Sequence, residues 1–459
     1  MSTQDGAQLG PQWRRPNGGI RYAVPKPQPQ NPVIRLIAVD LLDLEFATAF
    51  GLFSAMLFIS QLGSLGALAI IGLTGGYALL HFARLYEILL PRAFILAIPA
   101  VIVMSTLWSE TRTETLKYAI EFTITVGAGL LLSASRRPMS ILFGMFLAFG
   151  FYIAVSLAFG QSVFVGTTGT TAFSGLNYGK NMLADIASTG LLISTATFLV
   201  AIAERRLLVI LAAMLVAGME LYVVIAARSA GAMLGFALAM AVFALLLALR
   251  PIGALLRATG TFFLGLLLVF AALNHRALSS AMIDAGTRFF DKDMTLTGRT
   301  YLWQRAYDLI NETPWLGRGF RSFWLQGNPD AEGLWQYAGI LSRDGFNFHN
   351  TAIEVLVHLG WVGLIVYGAV VIVALGFLIV RFLVRPNLFV CFWLSVLIYE
   401  LVRMPIESIG FTEFYFSTVL LFMAMGSGFA APRGRSFAVP VPKERAMARP
   451  AGTRASARV

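Results

Sequence analysis

Charge is scarce in this chain: 13% of its 459 residues are Asp, Glu, Lys or Arg, while 57% are hydrophobic. A soluble domain carries about a quarter charged residues, so a water-exposed globular surface is hard to build from this composition. There is one cysteine, Cys391, and it lies in an apolar stretch, which excludes an intrachain disulfide. The four histidines (His81, His275, His349 and His358) are scattered, with no His-Glu-x-x-His or paired-cysteine spacing, so no protein-held zinc site is expected. A Walker sequence and a Gly-x-Ser-x-Gly elbow are both missing, so neither nucleotide hydrolysis nor hydrolase chemistry is indicated. No internal repeat is visible, unlike the pattern expected of secondary transporters.

What the chain has in abundance is apolar runs. A hydrocarbon core about 30 Å thick needs roughly 20 apolar residues per helix. Segments of that kind recur at 44–61, 65–82, 93–108, 116–134, 141–159, 183–202, 207–226, 230–249, 259–273, 356–380, 387–403 and 413–429. They predict an all-α polytopic membrane protein of about twelve spans, with one large polar loop between the ninth and tenth. The first span is too long and too far from residue 1 for a cleaved signal peptide.

Arginine placement predicts orientation. The even-numbered connections carry pairs: Arg84 and Arg92, Arg136 and Arg137, Arg205 and Arg206, Arg250 and Arg257, Arg381 and Arg385. Basic residues collect on the cytoplasmic side, so both termini are expected there. Residues 1–40 hold five basic and two acidic residues and 430–459 hold seven and one, which supplies most of the formal net charge of +11. The basicity therefore reads as topology and not as a nucleic-acid surface, which would interleave aromatics on a basic face. The tails are either disordered positive flanks or sites for anionic lipid or a partner. The expected organisation is a cytoplasmic basic tail at 1–43, helices one to nine within 44–273, an outer loop at 274–350, helices ten to twelve within 351–429, and a second basic tail at 430–459.

The outer loop holds eight basic and eight acidic residues and includes Trp303, Trp324 and Trp335, so it reads as partly folded and not as a tether. From Thr297, the residues Leu302, Trp303, Ala306, Tyr307 and Ile310 follow helical spacing, and Pro314 ends the run. Arg299 falls near that helix's N-terminus, on the side of Trp303. It is either an anion-binding group or a surface arginine paired with acids such as Asp291 or Asp293. Arg228 sits in the tight turn between the seventh and eighth spans, at headgroup level, where it can meet a phosphate or simply snorkel. Lys180, after the Gly/Thr-rich connection 160–182, can neutralise a phosphate or mark an interface. Arg403 and Glu407 lie in the last outer connection. Glu220 and Glu400 fall within or near apolar spans, as proton-relay groups or as partners for interhelical hydrogen bonds.

The stretch from Phe348 to Gly363 carries the most specific signal. His349 and Asn350, then nine residues, Gly360, two residues and Gly363 fit a pattern that resembles the O-antigen ligase and polymerase superfamily, closest in shape to its exopolysaccharide polymerases. Thr297-Gly298-Arg299-x-x-x-Trp303 and Pro314-Trp315-Leu316-Gly317-x-Gly319-Phe320 look like the same superfamily's large-loop pattern. Gly179-Lys180-Asn181 resembles its His-Lys-Asn motif with glycine in place of the histidine. Arg228 matches the arginine expected at the seven–eight turn, although Ala232 stands where an Arg-x-x-x-Leu version has leucine.

This resemblance implies a GT-C-like glycosyltransferase that works at the periplasmic face of a bacterial inner membrane without metal or cofactor. Its substrate would be an undecaprenyl-pyrophosphate-linked oligosaccharide, whose lipid pyrophosphate is already a good leaving group. Arg228, Arg299 and Lys180 would hold the pyrophosphate, with guanidinium groups suited to bidentate phosphate binding. His349, of intrinsic pKa near 6.5, would act as general base or would orient donor or acceptor. Asn181, Asn350, Gly360, Gly363 and Trp303 would shape the motif, and His358, nine residues after His349 on the opposite helix face, would be structural. The implied partners are the lipid-linked substrate, membrane lipids, a flippase, and chain-length or export proteins; no nucleic acid is expected. Polymerisation of repeat units is the preferred activity. Ligation of a finished chain to lipid A-core and a flippase or secondary transporter are the alternatives.

Overall fold

A computed structural model of the chain describes residues 39–165, 170–176, 179–273, 297–343 and 346–429. The apolar segments form α1 (Leu44–Leu57), α2 (Ser64–Leu80), α3 (Phe82–Leu107), α4 (Arg112–Ser133), α5 (Pro138–Phe159), α6 (Lys180–Glu204), α7 (Leu207–Ala226), α8 (Ala230–Leu249) and α9 (Ala254–Leu273). The polar loop contributes α10 (Thr297–Glu312) and α11 (Pro329–Ala338), and the chain returns through α12 (Thr351–Val384), α13 (Leu388–Arg403) and α14 (Phe416–Ser427). Every apolar segment read from the sequence overlaps one of these helices. Among the described residues, seven helices (α3 to α8 and α12) are long and apolar enough to cross a membrane, and shorter apolar helices accompany them. α3 begins well before the expected residue 93. It alternates 3-10 and α turns, because Pro91 and Pro99 each remove a backbone donor.

α6 packs along α7, α1 along α5, α4 along α14, and α8 along α13. Every residue of α14 is buried, so that short helix is the axis of the bundle. The described residues are mostly helical, as expected, with one short exception. Residues 160–182 contain an antiparallel hairpin, β1 (Gln161–Val165) and β2 (Thr170–Gly175), in a register that pairs Ser162 with Phe173 and Phe164 with Thr171. The β-branched and aromatic residues of Val163-Phe164-Val165 and Thr170-Thr171-Ala172-Phe173 favour pleated backbone, and glycines at both ends prevent the neighbouring helices from running through.

The polar loop has an apolar core of its own, in which Leu302, Ala306, Leu334, Trp335, Phe323 and Phe348 pack together. That core is joined to the bundle by an exchange of backbone hydrogen bonds. α12 is broken at Gly360, whose φ is 62° and ψ −163°. Such a break orphans the carbonyls of residues 357 and 358 and the N–H groups of 361 and 362. The segment 314–319 takes up all of them. Arg318 N donates to Val357 O at 3.0 Å and Gly319 N to His358 O at 2.9 Å, while Trp361 N donates to Pro314 O at 2.9 Å and Val362 N to Trp315 O at 3.1 Å. A backbone polar group buried without a partner costs free energy comparable to a lost hydrogen bond, so this splint is what sustains the break. A Cβ at position 360 would lie 2.3 Å from the Trp315 carbonyl carbon, and one at Gly317 would lie 2.5 Å from the His358 carbonyl carbon, so both positions require glycine.

Candidate active site

Local sequence determines how His349 is presented. Asn350 caps α12, its side chain accepting from Ile353 N at 3.1 Å and its amide donating to Pro405 O at 3.1 Å. Thr351 binds the same 404–409 segment: its N–H donates to Met404 O at 2.8 Å, and its hydroxyl donates to Glu407 O at 3.0 Å and accepts from Ile409 N at 2.8 Å. The start of α12 is thereby clamped onto the connection between α13 and α14. On the other side, Trp303 donates its indole N–H to Phe348 O at 2.8 Å. His349, between these anchors, adopts a left-handed φ of 51°, a conformation that costs about 1–3 kcal/mol for a non-glycine residue and persists only where its surroundings enforce it.

The clamp brings His349 Nδ1 to 3.0 Å from one carboxylate oxygen of Glu407, while Arg299 donates to the other at 3.1 Å and to Ile406 O at 2.7 Å. Burial opposes the charge on Glu407. The hydrogen bond from His349 and the fields of His349, Arg299 and Arg403 outweigh that, so its carboxyl is held below the usual range. An ionised Glu407 accepts, so Nδ1 is the donor in this contact and Nε2 is the ring nitrogen that Glu407 leaves unoccupied. All three side chains are partly exposed, between 22% and 28% for His349 and Glu407. Arg299 is thus paired with Glu407, which the sequence did not suggest; Asp291 and Asp293, the partners it did suggest, lie outside the described residues.

A second group gathers beside the first. Lys180, at the start of α6, donates to Arg228 O at 3.5 Å, and Ser229 Oγ donates to Asn181 Oδ1 at 3.0 Å. Arg228 is exposed and, like His349, has a left-handed φ, of 49°. Ile406 links the two groups. Its carbonyl receives Arg299, and its side chain lies against Gly231, where a Cβ would approach to 2.9 Å. Arg403 does not join the exposed cations. It is 4% exposed, bonded to Asp185, which also accepts from Tyr399 at 3.0 Å and Tyr415 at 3.4 Å. Glu400 and Glu220 are interhelical partners, accepting from Ser417 at 2.8 Å and Ser194 at 2.6 Å.

A profile described as O-antigen ligase matches residues 211–368, from within α7 to within α12, which takes in Arg228, Arg299 and His349 and leaves Lys180, Asn181 and Glu407 outside. The exopolysaccharide production protein ExoQ of Rhizobium meliloti (strain 1021) is 30% identical over 399 residues, covering 85% of this chain and 88% of that protein. The chain belongs to the O-antigen ligase superfamily. In this member the superfamily's His-Asn-x9-Gly-x2-Gly pattern divides into separate jobs. His349 presents a ring nitrogen, Asn350 caps and clamps, and Gly360 opens the helix for the loop splint. Gly363 follows directly on that break, and a Cβ there would lie 2.2 Å from Leu359 Cβ.

Loss of the clamp is measurable. Asn350→Ala is expected to weaken the start of α12 by about 0.5–2 kcal/mol, with Gly costing only a few tenths. Hydrogen exchange at the Ile353 amide should accelerate accordingly, and unchanged exchange would show that the cap is not what holds this end. Sequence reading placed Glu407 in the last outer connection but gave it no role, and it passed over Glu354. The available signals were an acid between two apolar spans and a Glu-x-x-x-His spacing that puts Glu354 and His358 on one helix face.

Proposed function

We propose that this chain is a glycosyltransferase of exopolysaccharide biosynthesis that polymerises undecaprenyl-pyrophosphate-linked oligosaccharide repeat units at the periplasmic face of the inner membrane. The reading rests on one observation above all: the motif histidine is held through Nδ1 by an anionic Glu407 that is itself paired with Arg299. In the reaction, His349 Nε2 takes the proton from an acceptor sugar hydroxyl. The hydroxyl oxygen bonds to the donor's anomeric carbon, and the bond from that carbon to the pyrophosphate oxygen breaks. Undecaprenyl pyrophosphate leaves with the electron pair, and Arg228, Lys180 and Arg299 balance its charge. Electrostatic support of this kind is worth roughly 3–4 kcal/mol per donor by analogy with oxyanion sites. Because the leaving group arrives activated, the step as written calls on neither nucleotide nor metal.

The accompanying topology is twelve spans with both termini cytoplasmic. The described helices accommodate it, and the paired arginines of the even-numbered connections support it. It places residues 274–350, the Arg228 turn and the 404–415 connection in one compartment, and the contacts of His349 and Arg299 with Glu407 support this. Ligation to lipid A-core is the second reading, favoured by the description of the matching profile. Deleting the gene and sizing the surface carbohydrate separates them. Loss of polymerase leaves single repeats, loss of ligase leaves long chains stranded on the lipid, and unchanged carbohydrate refutes both.

A further inference from the structure

Glu354 lies in the first turn of α12, is 2% exposed, and takes no part in the chemistry described so far. Four groups converge on its carboxylate. One oxygen accepts from Phe348 N at 2.8 Å and Ser408 Oγ at 3.3 Å. The other faces Trp324 Nε1 at 3.1 Å and His358 Nε2 at 3.1 Å. The first pair are chain neighbours of the site itself: Phe348 precedes His349, and Ser408 follows Glu407. The second pair belong to the outer loop and the broken helix, and His358 Nδ1 in turn reaches Gly319 O at 3.1 Å, inside the splint.

We infer that Glu354 is a positioning residue for the transferase reaction, a buried carboxylate that sets the separation of His349 and Glu407 and ties both to the loop segment spliced into α12. The inference rests on the assignment of His349 as the base. Its chemistry is specific to a carboxylate. Phe348 N–H and Trp324 Nε1–H are obligate donors on opposite oxygens, so both are satisfied only if both ends of the side chain accept. Glutamine has the same shape but one carbonyl oxygen. Whichever way its amide turns, the NH2 faces an N–H, leaving a buried donor unsatisfied beside His349 or beside the loop. Aspartate is one methylene shorter and cannot span both pairs. Packing alone would tolerate glutamine, whereas the carboxylate role would not.

The test uses the full chain in lipid nanodiscs, with undecaprenyl-pyrophosphate-linked oligosaccharide extracted from cells lacking the protein as probe. Glu354→Gln is expected to lower turnover by about 10–100-fold with the half-saturating substrate concentration unchanged within about twofold. Trp324→Phe, which keeps the ring and removes one donor, should lower turnover by about 3–10-fold and serves if the first variant fails to fold. In a His349→Ala background, Glu354→Gln should add nothing, because a positioning effect vanishes with the group it positions. An equal loss in both backgrounds, or a shift confined to half-saturation, overturns the proposal. Full turnover by His349→Ala would sink the base assignment and this role with it. An inactive His349→Ala beside a fully active Glu354→Gln would sink only the role of Glu354.

Discussion

With His349 replaced by alanine, chain extension falls by about 10²–10⁴-fold while the protein still accumulates in the membrane, the range expected for losing a positioned general base. The structure gives reasons for expecting an effect on chemistry and little on folding. The ring is 28% exposed, and the anchors around it (Trp303 on Phe348 O, Asn350 on Pro405 O) are made by neighbours and survive its removal. Alanine keeps the Cβ that the left-handed φ must accommodate, so the backbone strain stays as it was, and no core is filled or emptied. The measurement is the rate of product formation from lipid-linked oligosaccharide, read beside the amount of folded protein. A His349→Gln variant separates two roles. Glutamine can still donate and accept hydrogen bonds, so it rescues a residue that merely orients the acceptor. It cannot take a proton, so an activity as low as that of alanine identifies the base. A transporter would move its cargo in both variants.

The helical architecture and the family motif were legible in the sequence because both are local signals: apolar runs of crossing length, and spaced residues on one helix. Pro314 as the end of α10 was legible for the same reason. The hairpin at 161–175 was not, because two strands of five and six residues in a Gly/Thr-rich connection give too short a period to separate from a loop. Arg403 was misread as an outward cation because its partner, Asp185, is 218 residues away and buried on another helix. Glu407 and Glu354 stayed without roles for the same physical reason. Each acts on groups far along the chain, and a carboxylate's meaning lies in what surrounds it. The glycines of the motif were visible as glycines, but their purpose, opening α12 to the backbone of 314–319, belongs to the contact and not to the helix.

Glu407→Gln is expected to reduce turnover by about 10²–10⁴-fold, as when the acid partner of a catalytic histidine becomes an amide. Glu407 serves two donors at once, His349 through one oxygen and Arg299 through the other. A glutamine oxygen turned to His349 points an NH2 at the Arg299 guanidinium. Turned the other way, the NH2 faces Nδ1, which must then accept, moving the proton to Nε2 and blocking the nitrogen that should take one from the acceptor. Both arrangements impair the site, through Arg299 in one case and through the tautomer in the other. Combining Glu407→Gln with Arg299→Ala should cost less than the product of the two single losses, whereas fully multiplicative losses would show that the pair does not act as a unit. The pH dependence of stability gives a second check with a definite sign. Because the carboxyl is held below its ordinary value, its contribution is complete above the unfolded glutamate pKa of about 4.3 and is lost as pH falls through the lower folded value. The difference in melting temperature between the wild type and Glu407→Gln should therefore be flat from neutral pH down to about 4.3 and close only in stronger acid. A gap that widens on acidification would mean that Glu407 is protonated in the folded protein, and His349 would then lack the anion that fixes its tautomer.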